Sequence, residues 1–94
     1  MMKINKTDAP HDVCIKLVDF ASNYVSKMSK IKLNSHADCM RVYYKDASDY
    51  CRIASLVEER NFRGAVDAAY DMDTCPRDEI PQDVWDYITY HSKV

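Results

Sequence analysis

A single glycine, Gly64, serves the whole chain of 94 residues, and that scarcity narrows the choice of fold more than any other feature. Tight hairpin turns need residues at positive φ, a role that glycine fills at the least steric cost, so an all-β domain rich in short turns is not expected. Phosphate-cradling glycine loops are excluded by the same count. With only three prolines and a hydrophobic content of 47%, the chain is neither loop-rich nor disordered. A chain of this size forms one domain, residues 1–94, with a stability on the order of 5–10 kcal/mol.

The apolar residues recur at helical steps. Asp8-Ala9-Pro10 is a helix start, because a carboxylate can accept free N–H groups and proline tolerates the first turn. Behind it Cys14, Leu17, Val18, Ala21, Tyr24, Val25 and Met28 fall within about 120° of arc on a helix, a core-facing stripe. Residues 1–8 are expected as a flexible arm. Asn34-Ser35 is the next start. Met40, Tyr43, Tyr44, Ala47, Tyr50, Cys51 and Ala54 form its stripe, and Val42, Ile53, Leu56 and Val57 lie beyond it. That helix runs to about Arg60, roughly 38 Å at 1.5 Å per residue, and its apolar positions on more than one side make it the central one. After Asn61 a short helix carries Phe62, Ala65, Val66, Ala69 and Met72, weakened at Gly64 by about 1 kcal/mol relative to alanine. Ile80-Pro81 opens a last helix with Val84, Trp85, Ile88 and His91 turned inward. The fold class is therefore all-α, a compact bundle of about four helices, two long antiparallel ones followed by two shorter ones.

No stretch approaches the ~20 apolar residues of a membrane span. Met1 to Lys6 starts positive with no apolar run behind it, so no secretory signal is read, and the four cysteines are expected as reduced thiols in a cytoplasmic protein.

The most specific coincidence is a doubled H-x-x-C, His11–Cys14 and His36–Cys39, at the starts of the two long helices. Imidazole and thiolate from each helix would make a tetrahedral zinc set. In an antiparallel hairpin those starts lie at opposite ends, some 25–30 Å apart at 1.5 Å per residue, so one ion cannot join them. No metal and no cofactor are expected. Cys14 and Cys51 sit on apolar stripes, where a thiol behaves as a small hydrophobe, and Cys75 lies among acids that raise a thiol pKa. No nucleophile-and-base set can be assembled, and an enzyme is not expected.

Charge is distributed unevenly. Residues 1–47 hold eight Lys/Arg against five Asp/Glu, a net of +3, and residues 48–94 hold five against ten, a net of −5. Asp67, Asp71, Asp73, Asp78, Glu79, Asp83 and Asp86 face only Arg77. Asp67 and Asp71 are four apart on one helix face, a like-charge spacing that stability alone does not call for. These seven acids, with Tyr70 and Tyr90 as aromatic anchors, form the candidate partner-binding surface, suited to a basic site on another protein. The competing reading is a solvated face, with Asp73 and Asp83 capping helices and the others supplying solubility.

The expected function is thus that of a small non-enzymatic interaction protein. It would bind and inhibit or modulate a larger macromolecule, in the manner of phage or mobile-element inhibitors of host machinery. A second reading places an anionic ligand, nucleotide or nucleic acid, on Lys16, Lys27, Lys30 and Lys32 along the first helix; a sequence pI near 5.8 speaks against nucleic acid. A third makes the chain a helical subunit of a homo-oligomer, using its tyrosines and extra apolar rows.

Overall fold

The start signal at Asp8-Ala9-Pro10 places the first helix where it occurs in the computed structural model, which describes residues 3–29, 36–72 and 78–93, with side chains for 3–27, 45–72 and 78–93. Among the described residues there are four helices and no strand: α1 (Pro10–Ser29), α2 (His36–Glu58), α3 (Phe62–Tyr70) and α4 (Gln82–Ser92). The architecture is all-α, as the periodicity predicts.

Helix α1 packs along α2, α2 against α3, and α3 against α4. The α1/α2 and α3/α4 pairs run antiparallel. His11 meets Glu58 near one end of the α1/α2 hairpin, Phe20 meets Tyr50 farther along, and Tyr24 meets Asp46 beyond that. Likewise Phe62 lies beside His91 at one end of the α3/α4 pair, and Tyr70 beside Trp85 at the other.

The core is one cluster: Val13, Leu17, Ala21 and Tyr24 from α1; Tyr50, Ile53, Ala54 and Val57 from α2; Ala65, Ala68 and Ala69 from α3; and Val84, Tyr87 and Ile88 from α4. Ile4, Met72 and Ile80 close it. The alanine face of α3 lets its neighbours approach closely, which suits the shortest helix of the four. Tyr50 is fully buried, edge-on to both Phe20 and Tyr24 with ring centroids 5.0 and 5.5 Å away. Edge-to-face pairs of this kind add about 0.5–1.5 kcal/mol beyond the area they bury. The Tyr24 hydroxyl donates to the buried Asp46 carboxylate at 2.9 Å, satisfying two polar groups that would each be costly alone.

Both long stripes are rotated from their expected positions. On α1 the buried line is Val13–Leu17–Ala21–Tyr24, Val18 is 45% exposed, and Cys14 and Val25 are half-buried. On α2 the line passes through Tyr50, Ile53, Ala54 and Val57, and Cys51 is exposed. On α2 the reason is that the helix packs against α1 and α3 at once, which brings in Ile53 and Val57 and leaves Cys51 exposed. The side chains of Met28, Met40, Tyr43 and Tyr44 lie outside the described residues. On α4, Tyr87 is buried where the sequence turns Trp85 and His91 inward; those two are half-buried.

The turn between α2 and α3 is a Schellman cap. Arg60 N–H donates to Val57 O at 2.9 Å and Asn61 N–H to Leu56 O at 2.8 Å, which puts Arg60 at φ 64°. Glycine is the usual residue at that position, and a side chain there costs about 1–2 kcal/mol. Asn61 then caps α3, its side-chain oxygen accepting from Gly64 N–H at 3.0 Å.

The segment before α1, read from the sequence as an arm, lies against α4. Asn5 and Asp8 bond reciprocally, Asp8 N–H to Asn5 O at 3.0 Å and Asn5 N–H to Asp8 Oδ2 at 2.8 Å. The Asp8 carboxylate therefore closes this turn rather than capping α1. Tyr87 Oη donates to Asp8 O at 2.7 Å, His91 Nε2 to Lys6 O at 2.9 Å, and Ile4 is buried.

Candidate interaction surface

Asp83 and Lys16 belong to opposite candidate surfaces in the sequence, and the fold joins them. Lys16 lies one residue before Leu17 on the inward side of α1, so its stem crosses the core edge, and its Nζ reaches Asp83 Oδ2 at 2.5 Å. The same oxygen accepts from Ile4 N–H at 2.8 Å, and Oδ1 accepts from Val84 N–H at 2.9 Å. Burial pushes the Asp83 carboxyl up; the Lys16 hydrogen bond, the two backbone N–H bonds and the ammonium charge outweigh it and hold the group below its ordinary value. Asp83 is thus a structural clamp between the amino-terminal segment, α1 and α4, and Lys16 is not available to an anionic ligand. Lys27 is exposed; Lys30, Lys32 and Asp73 lie outside the described residues.

The remaining acids separate into groups. Asp67 on α3 and Asp71 at its C-cap are exposed, and Tyr70 shares the side of Asp67, three residues before it. Asp78 lines a groove with Tyr70, Ile80, Gln82 and Trp85. Asp86 is exposed on α4 and accepts from Gln82 Nε2 at 2.8 Å. Glu79 is exposed but acts elsewhere: its charge, with those of Asp46 and Asp49, adds to burial and to Tyr24 in raising the Tyr50 hydroxyl well above its usual range. Among the described residues no cation lies within ion-pair distance of Asp67, Asp71, Glu79 or Asp86.

The centre of the surface is aromatic. Tyr70 is 59% exposed, and its ring meets Trp85 edge-on, centroids 5.7 Å apart at 85°. Ile80, itself buried, gives the groove an apolar floor. Tyr90 is also exposed but belongs to another neighbourhood, with Lys6 Nζ 4.8 Å from its ring centroid. Sequence reasoning named Tyr70 and the acids around it but turned Trp85 inward; the half-buried indole is what completes the groove.

Cys14 lies near the His11–Glu58 pair; the side chains of Cys39 and Cys75 lie outside the described residues. His11 Nδ1 donates to the Glu58 carboxylate, 3.0 and 3.1 Å from its two oxygens. Burial, then the Glu58 charge, a hydrogen bond to Glu58 and the neighbouring Cys51, all push the Cys14 thiol up. A raised thiol pKa leaves little thiolate at neutral pH. His36 stands at the start of α2, at the far end of the hairpin from His11, so the two H-x-x-C pairs are apart. Among the described residues no three His, Cys, Asp or Glu side chains are grouped to hold a metal ion, and no helix is long and apolar enough to cross a membrane.

Comparison of the chain with known protein families, with curated proteins and with solved structures finds no match.

Proposed function

We propose that this protein is a small non-catalytic interaction module that binds and modulates a larger protein through the acid-flanked groove between α3 and α4. The observation that carries the reading is the exposed Tyr70 ring set edge-on against Trp85, with Asp78 lining the same groove and Asp67 one turn before Tyr70 on α3. The complement of such a site is an arginine- or lysine-bearing segment. A guanidinium stacks on Tyr or Trp faces while carboxylates at the rim neutralise it. Aromatic residues that are partly buried at rest are good anchors, because little ordering entropy is lost on docking. The acids flanking the ring pair raise the encounter rate with a positively charged partner.

Trp85 is the only tryptophan, so its emission reads the groove directly. Titration with an arginine-rich peptide is expected to give a saturable change that weakens with salt. Tyr70→Ala should loosen binding about ten-fold, the usual scale for an anchor residue. Asp67→Asn with Asp71→Asn should reduce both affinity and salt sensitivity. If all three proteins bind the peptide alike, the acids only solvate the surface and the reading fails.

A further inference from the structure

We infer that a second site, on the opposite end of the α3/α4 pair, binds the phosphate group of a small molecule. A pocket of about 440 Å³ opens where the amino-terminal segment, the start of α1, the α2–α3 turn and the end of α4 converge. Its size is that of a small-molecule site. Lys6 and Arg60 bring two cations to it, Phe62, Tyr87 and His91 a wall of rings, and Asp8 one carboxylate.

Three features point to an anion. The Arg60 guanidinium makes no hydrogen bond or ion pair with any described residue, and among the described residues the Lys6 ammonium meets only the Tyr90 ring. Burial raises the Tyr87 hydroxyl in the pocket wall, and the Arg60 charge opposes that rise while Asp8 and Asp12 add to it, so the guanidinium charge reaches the pocket. Second, Arg60 occupies a left-handed position, φ 64°, where glycine would serve the Schellman cap without strain. The local fold has no use for this guanidinium, and the pocket does, because its planar fork matches two phosphate oxygens. Third, the pocket sits at the amino end of the 20-residue α1, whose dipole favours negative charge.

The ring wall is built rather than incidental. His91 stacks on Phe62 with centroids 5.0 Å apart and lies 4.3 Å from the Tyr87 ring. Its Nε2 is held by Lys6 O at 2.9 Å, and Tyr87 Oη is held by Asp8 O at 2.7 Å. The rings are thus fixed in place before any ligand arrives. Asp8 opposes an anion, but its Oδ2 is engaged by Asn5 N–H.

The test uses inorganic phosphate and adenosine 5′-monophosphate as probes, followed by amide chemical shifts against chloride at equal ionic strength. Saturable shifts at Lys6, Phe62 and His91 are expected with both. Arg60→Gly should weaken binding about ten-fold or more while melting no lower than the wild type, so the loss is not a folding defect. Arg60→Asn, which also tolerates the left-handed conformation, gives the same comparison. Asp8→Asn keeps an acceptor for Asn5 and should tighten binding. Shifts no larger than those in chloride, or undiminished binding by both Arg60 variants, would overturn the proposal.

Discussion

Lys16 Nζ and Asp83 Oδ2 lie 2.5 Å apart, across 67 positions of sequence, and tie the middle of α1 to the first turn of α4. The lysine side chain is 9% exposed and the aspartate 20%. This pair determines which charges remain for any partner, because it removes one member from each of the two surfaces the sequence outlines. It also makes the amino-terminal segment part of the domain, since Ile4 N–H shares the same carboxylate oxygen.

Removing the ammonium alone leaves a carboxylate in a partly dry site. Breaking a fully buried pair this way costs about 3–5 kcal/mol. Asp83 keeps two N–H donors and some solvent, so Lys16→Met is expected to lose about 2–3 kcal/mol in urea unfolding. The double variant Lys16→Met, Asp83→Asn removes the unpaired charge and keeps an oxygen for Ile4 N–H, and should recover part of that loss. Equal, additive losses in a double-mutant cycle would mean that the two side chains are not coupled.

The same clamp predicts acid sensitivity of a definite sign. The Asp83 carboxyl sits below its ordinary value in the folded chain, so the unfolded chain binds more protons between that lowered value and about pH 4. Its contribution to stability is complete above that window and disappears as pH falls through the folded value. The stability gap between wild type and Asp83→Asn should therefore narrow steadily below about pH 5. A gap that stays constant from neutral pH to pH 2 would contradict this assignment.

What was legible in the sequence follows from the range of the interactions involved. Helix starts at Pro10 and after Asn61 depend on neighbours within a turn, and both are where local chemistry places them. The buried face of each helix depends on which helices it meets. Val13 and Val18 are equally apolar and lie on either side of Leu17, yet Val13 is buried and Val18 is exposed, a choice made by the helices packed around α1. Tyr70 and its flanking acids can be read from spacing along α3. The groove also needs Ile80 and Trp85, and the Arg60 pocket draws on four separate parts of the chain, which no periodicity reports.

Cys51 belongs to the stripe that periodicity buries and is exposed, whereas Cys14 is half-buried and its thiol is pushed up by burial and the Glu58 charge. Brief maleimide labelling followed by peptide mapping should modify Cys51 well before Cys14. Equal labelling of the two would mean that α2 is rotated back toward the stripe the periodicity predicts.

Arg60 stores strain that a glycine would release. The left-handed conformation costs a side chain about 1–2 kcal/mol, and glycine returns about 0.5–1 kcal/mol through its looser unfolded state. Arg60→Gly should therefore stabilise the protein by about 0.5–1 kcal/mol, a rise in Tm on the order of 4 °C. A fall in Tm would show that the arginine side chain contributes contacts that outweigh its backbone cost.

Gly64 reverses the usual expectation for glycine in a helix. Propensity alone favours alanine by about 1 kcal/mol. A Cβ at this position, however, would lie 2.6 Å from Asn61 Nδ2 and 2.9 Å from Oδ1, the oxygen that caps α3. Displacing that cap costs typically ~1 kcal/mol, and the third residue of a helix gains less from propensity than an interior one. Gly64→Ala should consequently be neutral to destabilising, by about 0–1 kcal/mol. The sign should invert once the cap is already gone: in an Asn61→Ala background, Gly64→Ala is expected to stabilise by about 0.5 kcal/mol or more. Were the substitution stabilising in both backgrounds, the Asn61 side chain would have no part in starting α3, and the glycine there would be explained by neither turn nor cap.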